Sequence, residues 1–264
     1  MTRTEDLTRI HDALLAAAEA VRPYTPGEVG FAVKAERGDP LTEADLAADR
    51  VLREVLLGGG DGRGEEGWLS EESVDDARRL KCRRVWVVDP IDGTREFVEG
   101  IPEWCISVGL VEDGLPVAGG ILNPVTGELV IGSLETGVAL NGRPATVTDR
   151  PNLEGAVILA SRSEIRRGEW EGFQDAPFAV KPCGSVAYKM ALVAAGQVDG
   201  TWTLVPKSEW DVAAGTALIR AAGGAVAHVD GSEPRFNQAS PTYPNLLASN
   251  ARLLQDFRDN WLKP

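Results

Sequence analysis

The sequence predicts a mixed protein: an α+β half built around an antiparallel sheet, followed by an α/β half. Two observations carry this. Between residues 104 and 133 three β-rich runs, WCISVGLV, VAGGIL and ELVIGS, are separated by the turn signals EDGLP and NPVTG. Strands joined by tight turns pair antiparallel. From Gly155 onward strand-like and helix-like segments alternate, which is the rhythm of an α/β layer. The 264 residues, 43% hydrophobic and 25% charged, suffice for one large domain or two ordinary ones.

Residues 4–22 read as an amphipathic helix. Leu7, Ile10, Leu14, Ala18 and Val21 fall at helical spacing, and Pro23 ends the run. A Gly/Pro-punctuated stretch follows, with FAVK as a short strand. LTEADLAADRVLREVLL is a second helix, and Thr42 with Asp45 has the spacing of a capping box. By itself that spacing suits Asp45 as a cap and as a catalytic carboxylate equally well. Gly58 to Gly67 reads as a mobile, charged, Gly-rich loop that delivers WLSEES, with Glu71 and Glu72 after the apolar step Trp68-Leu69.

The stretch VWVVDPIDGT organises what surrounds it. Val85 to Val88 is a buried strand by composition. Asp89 ends it, because Pro90 offers no ladder hydrogen bond, and Gly93 lets the chain turn with φ > 0. One turn then carries Asp89, Asp92 and Thr94, with the Ile91 carbonyl between them. Hard cations such as Mg²⁺ take oxygens of this kind. An ordinary Asp-Gly turn uses the same residues.

GVALNG and RPATV close the antiparallel half, and residues 141–152 are the expected boundary. We take 1–148 and 149–264 as the two halves. In the second, GAVILAS, FAVK, DGTWTLV, AVAHVD and NLLAS are strands. GSVAYKMALVAAGQ, SEWDVAAGTALIRAAGG and ARLLQDFRDNWL are helices, the middle one closed by Gly223-Gly224. Asp211 sits where the apolar helix begins, as an N-cap, as a charge at the helix's positive end or as a cation ligand; spacing does not decide among these.

Bulk properties exclude several classes. A net charge of −13 disfavours nonspecific binding to nucleic acid or anionic membranes. It also requires bound cations if the substrate is a phosphate ester, since an acidic pocket repels phosphate until its local sign is reversed. No apolar run has the length of a membrane span, and MTRTEDLTRIHDALL has no signal-peptide core, so we expect a cytoplasmic protein. Cys82, Cys105 and Cys183 are scattered, and the histidines are His11 and His228. That set suggests neither a zinc site nor a disulfide framework. Gly119-Gly120 and Gly223-Gly224 do not form a G-x-G-x-x-G dinucleotide fingerprint.

Four segments, in order from about Leu41 to Gly224, resemble one family. LTEADLAAD, LSEES, DPIDGT and WDVAAGTALIRAAGG are similar to the motifs of the inositol monophosphatase superfamily of metal-dependent, lithium-sensitive phosphatases. Within it, LSEE, DGTREF, EWD and RFNQ (Arg235 to Gln238) most resemble the CysQ-type 3′(2′),5′-bisphosphate nucleotidases. The resemblance implies a layered αβαβα sandwich of the inositol monophosphatase/sugar phosphatase type, with the metal site between the halves. The first half would carry most metal ligands. The second would supply Asp211 and substrate contacts.

It further implies two Mg²⁺ ions, or three. Glu71, Asp89 and the Ile91 carbonyl would hold one, and Asp89, Asp92 and Asp211 another. Thr94 and Asp45, with Glu71, would be catalytic, activating a water for in-line attack. Gly93, Thr94, Gly184, Ser185 and Lys189 would contact substrate, and Arg95, Lys189 and Lys207 are candidates for a second phosphate. The inositol enzymes usually place an acidic residue where this chain has Leu204. The implied reaction is hydrolysis of 3′-phosphoadenosine 5′-phosphate to AMP and phosphate. Inositol 1-phosphate, or another sugar or histidinol phosphate, is the alternative substrate, and a catalytically silent Mg²⁺-binding regulator the non-enzyme alternative. The partner is a small phosphorylated molecule, not a nucleic acid polymer or a membrane, and the family implies a homodimer.

Overall fold

The computed structural model describes residues 2–33, 40–58 and 66–261. Helix α1 (Arg3–Val21) is capped by Thr2, whose side chain accepts from the Glu5 N–H. The pair β1 (Phe31–Val33) and β2 (Pro40–Thr42) forms a small antiparallel ribbon; Lys34 of the expected FAVK strand lies outside the described residues. Helix α2 (Glu43–Leu57) starts at Thr42 with the expected capping box and ends at the left-handed Gly58.

The first sheet has seven strands in chain order: β3 (Glu66–Ser70), β4 (Arg84–Asp92), β5 (Cys105–Glu112), β6 (Leu115–Asn123), β7 (Glu128–Ser133), β8 (Gly137–Leu140) and β9 (Arg143–Ala145). All neighbours pair antiparallel except β3 and β4, which are parallel. Two expectations need correction here. Glu66 and Gly67 belong to β3 rather than to a loop, residues 59–65 of that loop lying outside the described residues. Thr94, expected on the turn, instead opens helix α3 (Thr94–Glu99), which follows β4.

A third correction concerns Pro90: β4 runs through it to Asp92. The pairing with β5 slips between Asp89 and Asp92, so that Asp89 faces Ser107 and Asp92 faces Cys105. A bulge leaves a residue unpaired, and a proline without an N–H fits there. The slip has a second effect. Val85 and Val87 pack into one core while Trp86, Val88 and Ile91 pack into the other, the alternation of a pleated strand. Residues three apart would normally face opposite sides. The extra residue at the bulge restores parity and turns Asp89 and Asp92 to the same side.

The second sheet has the order β11-β10-β12-β16-β14. Its strands are β10 (Val157–Ser161), β11 (Ala179–Cys183), β12 (Gly200–Thr203), β14 (Ala225–Ala227) and β16 (Leu246–Ser249). β10 is parallel to β11 and β12; the remaining pairs are antiparallel. β13 (Lys207–Ser208) and β15 (Thr242–Tyr243) form a separate ribbon. The helices are α4 (Arg162–Arg166), α5 (Val186–Ala194), α6 (Glu209–Ala221) and α7 (Ala251–Asn260).

The layers are α1 with α2, the seven-stranded sheet, α5 with α6, the five-stranded sheet, and α4 with α7: an αβαβα sandwich. Helix α6 is central. A Cβ at Gly109 would stand 2.9 Å from the Ala214 nitrogen, and one at Gly119 would stand 2.8 Å from the Ala214 carbonyl oxygen. These two glycines let α6 lie with its backbone almost on the sheet, which sets the depth of its N-terminal turn. One core joins both sheets through it, from Leu69 and Val87 to Ala213, Leu218, Val226 and Ala248. Among the described residues no helix is long and apolar enough to cross a membrane.

Candidate active site

Three carboxylates converge where β4 meets α6. Ligand oxygens of Asp89, Asp92 and Asp211 all lie within 4.8 Å of one another. Asp211 is not the N-cap of α6; that residue is Ser208, and Asp211 stands three residues later, accepting from the Ser208 N–H at 2.8 Å. Asp92 takes one hydrogen bond from the Ser185 hydroxyl at 2.6 Å and another from the Ala187 N–H, so it also caps α5. Asp89 is buried, and its Oδ1 has no hydrogen-bond partner. Glu71 lies outside the tight trio but lines the same cavity, of about 520 Å³.

This crowding disfavours the ionised state. Burial, then Glu71, Asp92 and Asp211, push the Asp89 carboxyl well above the usual range. Burial raises Asp92 against its two donors. Asp211 is pushed up to about 7 by burial and by Asp92 and Glu71. A buried carboxylate oxygen without a donor, flanked by two more carboxylates, fits a hard divalent cation.

The same shifts set a pH dependence. Asp211 ionises near 3.8 when unfolded and near 7 when folded. The folded state therefore binds more protons between these values, and the cation-free protein loses stability as pH rises through that window. We expect a lower Tm at pH 8 than at pH 5 in chelator. Mg²⁺ at about a hundred times its Kd should raise Tm by about 5–10 °C, with the larger gain at pH 8. Equal melting curves with and without Mg²⁺ at pH 8 would contradict this.

A second constellation sits beside the first. The Thr94 hydroxyl lies 3.2 Å from Asp45 Oδ1 and 3.0 Å from the Ile91 carbonyl oxygen. The other Asp45 oxygen accepts from the Thr42 N–H at 2.7 Å and from the Thr42 hydroxyl at 2.6 Å. Asp45 is thus a cap through one oxygen and a partner of Thr94 through the other. Gly93 sits between Asp92 and Thr94 with φ +97°, and a Cβ there would stand 3.0 Å from the Glu103 carbonyl oxygen.

Several expected substrate contacts are placed differently. Gly184 donates its N–H to Glu103 at 2.6 Å and is not on the cavity wall. Ser185 does line the cavity, but its hydroxyl is committed to Asp92, and its backbone is left-handed at φ +52°. The start of α5 therefore faces carboxylates. Leu204 packs against the Trp170, Phe178 and Trp202 core and not the cavity, so its apolar character says nothing about the ligand. The RFNQ segment, which carried part of the resemblance, lies against Arg79 and Glu209.

Arg95, Lys189 and Lys207 all line the cavity. Lys189 is buried with Nζ 3.4 Å from the Cys183 carbonyl, and burial pulls its pKa down. Lys207 stands 3.6 Å from Glu164. Sequence reasoning missed Ser161, Ser163 and Arg167 on the same wall. A signal for them existed: SRSEIRR follows β10, and ligands gather at the carboxyl ends of parallel strands.

The family model described as "Inositol monophosphatase family" matches residues 4–262. A protein of Rhizobium meliloti (strain 1021) named inositol-1-monophosphatase is 36% identical over 70% of this chain and 71% of its own length. One of Xylella fastidiosa named Nus factor SuhB is 31% identical over 84% and 81%. The solved structure of a Thermotoga maritima IMPase superposes with a TM-score of 0.81 at 26% identity, covering 98% of this chain and 96% of that one. With the matched model spanning nearly its whole length and the acidic trio at the junction of its layers, the chain belongs to the inositol monophosphatase family.

Proposed function

We propose that this phosphatase of the inositol monophosphatase type hydrolyses small phosphate monoesters with Mg²⁺ held by Asp89, Asp92, Asp211, Glu71 and the Ile91 carbonyl. The observation that carries this is the unpartnered, buried Asp89 Oδ1 between two other carboxylates on the cavity floor. Divalent cations held there supply Lewis acidity toward water and phosphate. The chain's own part is to position and to move a proton. Asp45 Oδ1 accepts the Thr94 proton while the Thr94 oxygen takes one from the attacking water, a path supported by their 3.2 Å separation. Gly93 leaves room for this turn. Chelator should abolish phosphate release, and Li⁺ should inhibit it.

The finer reading is a substrate with a second phosphate, 3′-phosphoadenosine 5′-phosphate being the one the sequence suggests. Its support is the basic set Arg95, Arg167, Lys189 and Lys207 around the cavity. Inositol 1-phosphate is the second reading, supported by the names of relatives such as the Rhizobium protein. The test is kcat/KM for both substrates at one Mg²⁺ concentration, with the parent and with Arg167→Ala. On the first reading the nucleotide is preferred, and the variant loses roughly tenfold or more on it, the worth of a charge-assisted hydrogen bond. A clear preference for inositol 1-phosphate overturns the nucleotide reading and leaves the metal site intact.

A further inference from the structure

Two of the proposed cation ligands do not sit on the bulged strand. Glu71 comes from the loop after β3, and Asp211 from the first turn of α6. The ladder sets Glu71 beside β4, since Ser70 pairs with Val88, and Gly109 and Gly119 set the depth of α6. But α6 is no part of the ladder, and its turn needs a separate tie to the Glu71 loop. Mg²⁺ demands near-ideal geometry at about 2.0–2.1 Å, so small errors between these segments are costly.

One buried side chain ties the segment after Glu71 to the segment that hydrogen-bonds Glu209. Arg79, on the 3₁₀ turn Ala77–Lys81, is 2% exposed. Its guanidinium holds Asp75 through Nε at 2.6 Å and Nη2 at 2.8 Å. The same fork crosses to a distant segment, with Nη1 donating to Asn237 Oδ1 at 2.8 Å and Nη2 to the Gln238 carbonyl at 3.0 Å. Asn237 answers with Nδ2 to the Arg79 carbonyl at 3.1 Å. Asn237 is left-handed at φ +58°, and its N–H and that of Gln238 both donate to Glu209, at 2.7 and 2.8 Å. Glu209 is fully buried and opens α6, two residues before Asp211. On the other flank Asp49 of α2 accepts from the hydroxyls of Ser70 and Ser73, at 2.5 and 2.8 Å, so the Glu71 loop is clamped from both sides.

We propose that Arg79 and Asn237 are positioning residues that hold the Glu71 loop and the Asp211 turn in register, and thereby set the affinity for the divalent cation. The inference rests on the metal-site reading above. An arginine suits this place because its planar fork can serve an acid and two acceptors at once. A lysine has no such geometry.

The cleanest variant is Asn237→Gly. Glycine takes the left-handed backbone without strain and keeps both N–H groups on Glu209, while the side-chain bridge to Arg79 is lost. The experiment is calorimetric titration of Mg²⁺ into the chelator-stripped full chain. The variants are Asn237→Gly, Arg79→Ala and, as control, Arg78→Ala, whose exposed side chain pairs with Asp76. We expect the Mg²⁺ Kd to rise about 10–100-fold in Asn237→Gly, the effect typical of groups that orient metal ligands. Arg78→Ala should match the parent, and KM at saturating Mg²⁺ should stay within about twofold, because substrate contacts are untouched. Arg79→Ala should be at least as weak as Asn237→Gly; should it fail to fold, Asn237→Gly alone decides. A folded Asn237→Gly that binds Mg²⁺ within about twofold of the parent overturns the inference, whatever its Tm. A parent that binds no Mg²⁺ overturns the metal-site reading and this inference together.

Discussion

Asp89→Asn should be more stable than the parent without cations and inactive with them. Its carboxylate is buried, carries an unpartnered oxygen and faces Glu71, Asp92 and Asp211. Above the unfolded pKa of about 3.8 its ionised form opposes folding, so removing the charge relieves the fold at neutral and alkaline pH. An amide also brings a donor into a nest of acceptors. We expect Tm in chelator at pH 8 to rise, by about 2–4 °C for each kcal/mol relieved in a chain of this size. Turnover with Mg²⁺ should fall by roughly 10³-fold or more, the scale of losing a group that organises transition-state charge. Asp92→Asn is not equivalent. The Ser185 and Ala187 hydrogen bonds both fall on one Asp92 oxygen, which an amide oxygen can keep, while its NH₂ takes the place of the other oxygen, so turnover should fall with the fold retained. An Asp89→Asn protein that melts below its parent, or keeps a tenth of its turnover, would refute this account of the site.

The second large effect belongs to Thr94. Thr94→Ala removes the hydroxyl that donates to Asp45, the one proposed to relay a proton from the attacking water, and leaves every carboxylate in place. Turnover should drop about 10²–10⁴-fold, the worth of general acid–base assistance, with the Mg²⁺ Kd nearly unchanged. Asp45→Asn separates the carboxylate's two duties. An asparagine oxygen still caps a helix well and can meet the Thr42 N–H. Its NH₂ then points at Thr94 as a donor, which reverses the hydroxyl and blocks proton acceptance. Stability should change little while turnover falls nearly as far as in Thr94→Ala. Turnover near the parent's in Asp45→Asn would leave Asp45 a cap and nothing more.

Asp89 and Asp92 were legible as neighbouring carboxylates because one strand end carries both, whereas Asp211 was brought to them only by the family resemblance, and the structure places the three together. Strands such as β7 and helices such as α6 were legible because apolar periodicity and turn residues agree there. What failed was non-local. Gly67 read as loop, yet a Cβ there would stand 2.9 Å from the Arg79 Cβ, so this glycine makes room for the turn packed on β3. Pro90 read as a terminator because only the pairing with β5 reveals a bulge that needs no N–H. Leu204 stands where the resemblance expects an acidic residue, but spacing from Asp211 cannot say which way a residue leaving β12 points, and it packs away from the cavity. Gly184 read as an anion donor because Glu103, which occupies it, lies 81 positions away.

The close seat of α6 on Gly109 and Gly119 has a consequence for biosynthesis. The seven-stranded sheet is complete once Ala145 has been made, but its inner face is covered by a helix that ends at Ala221. At about 5–20 residues per second, that face waits on the order of 4–15 s for its cover. During that interval the nascent chain presents Val85, Val87, Val111 and Ile121 without their native packing. The chain should therefore acquire protease resistance late and in one step as it leaves the ribosome, and truncation before α6 should yield an aggregating fragment rather than a stable first half.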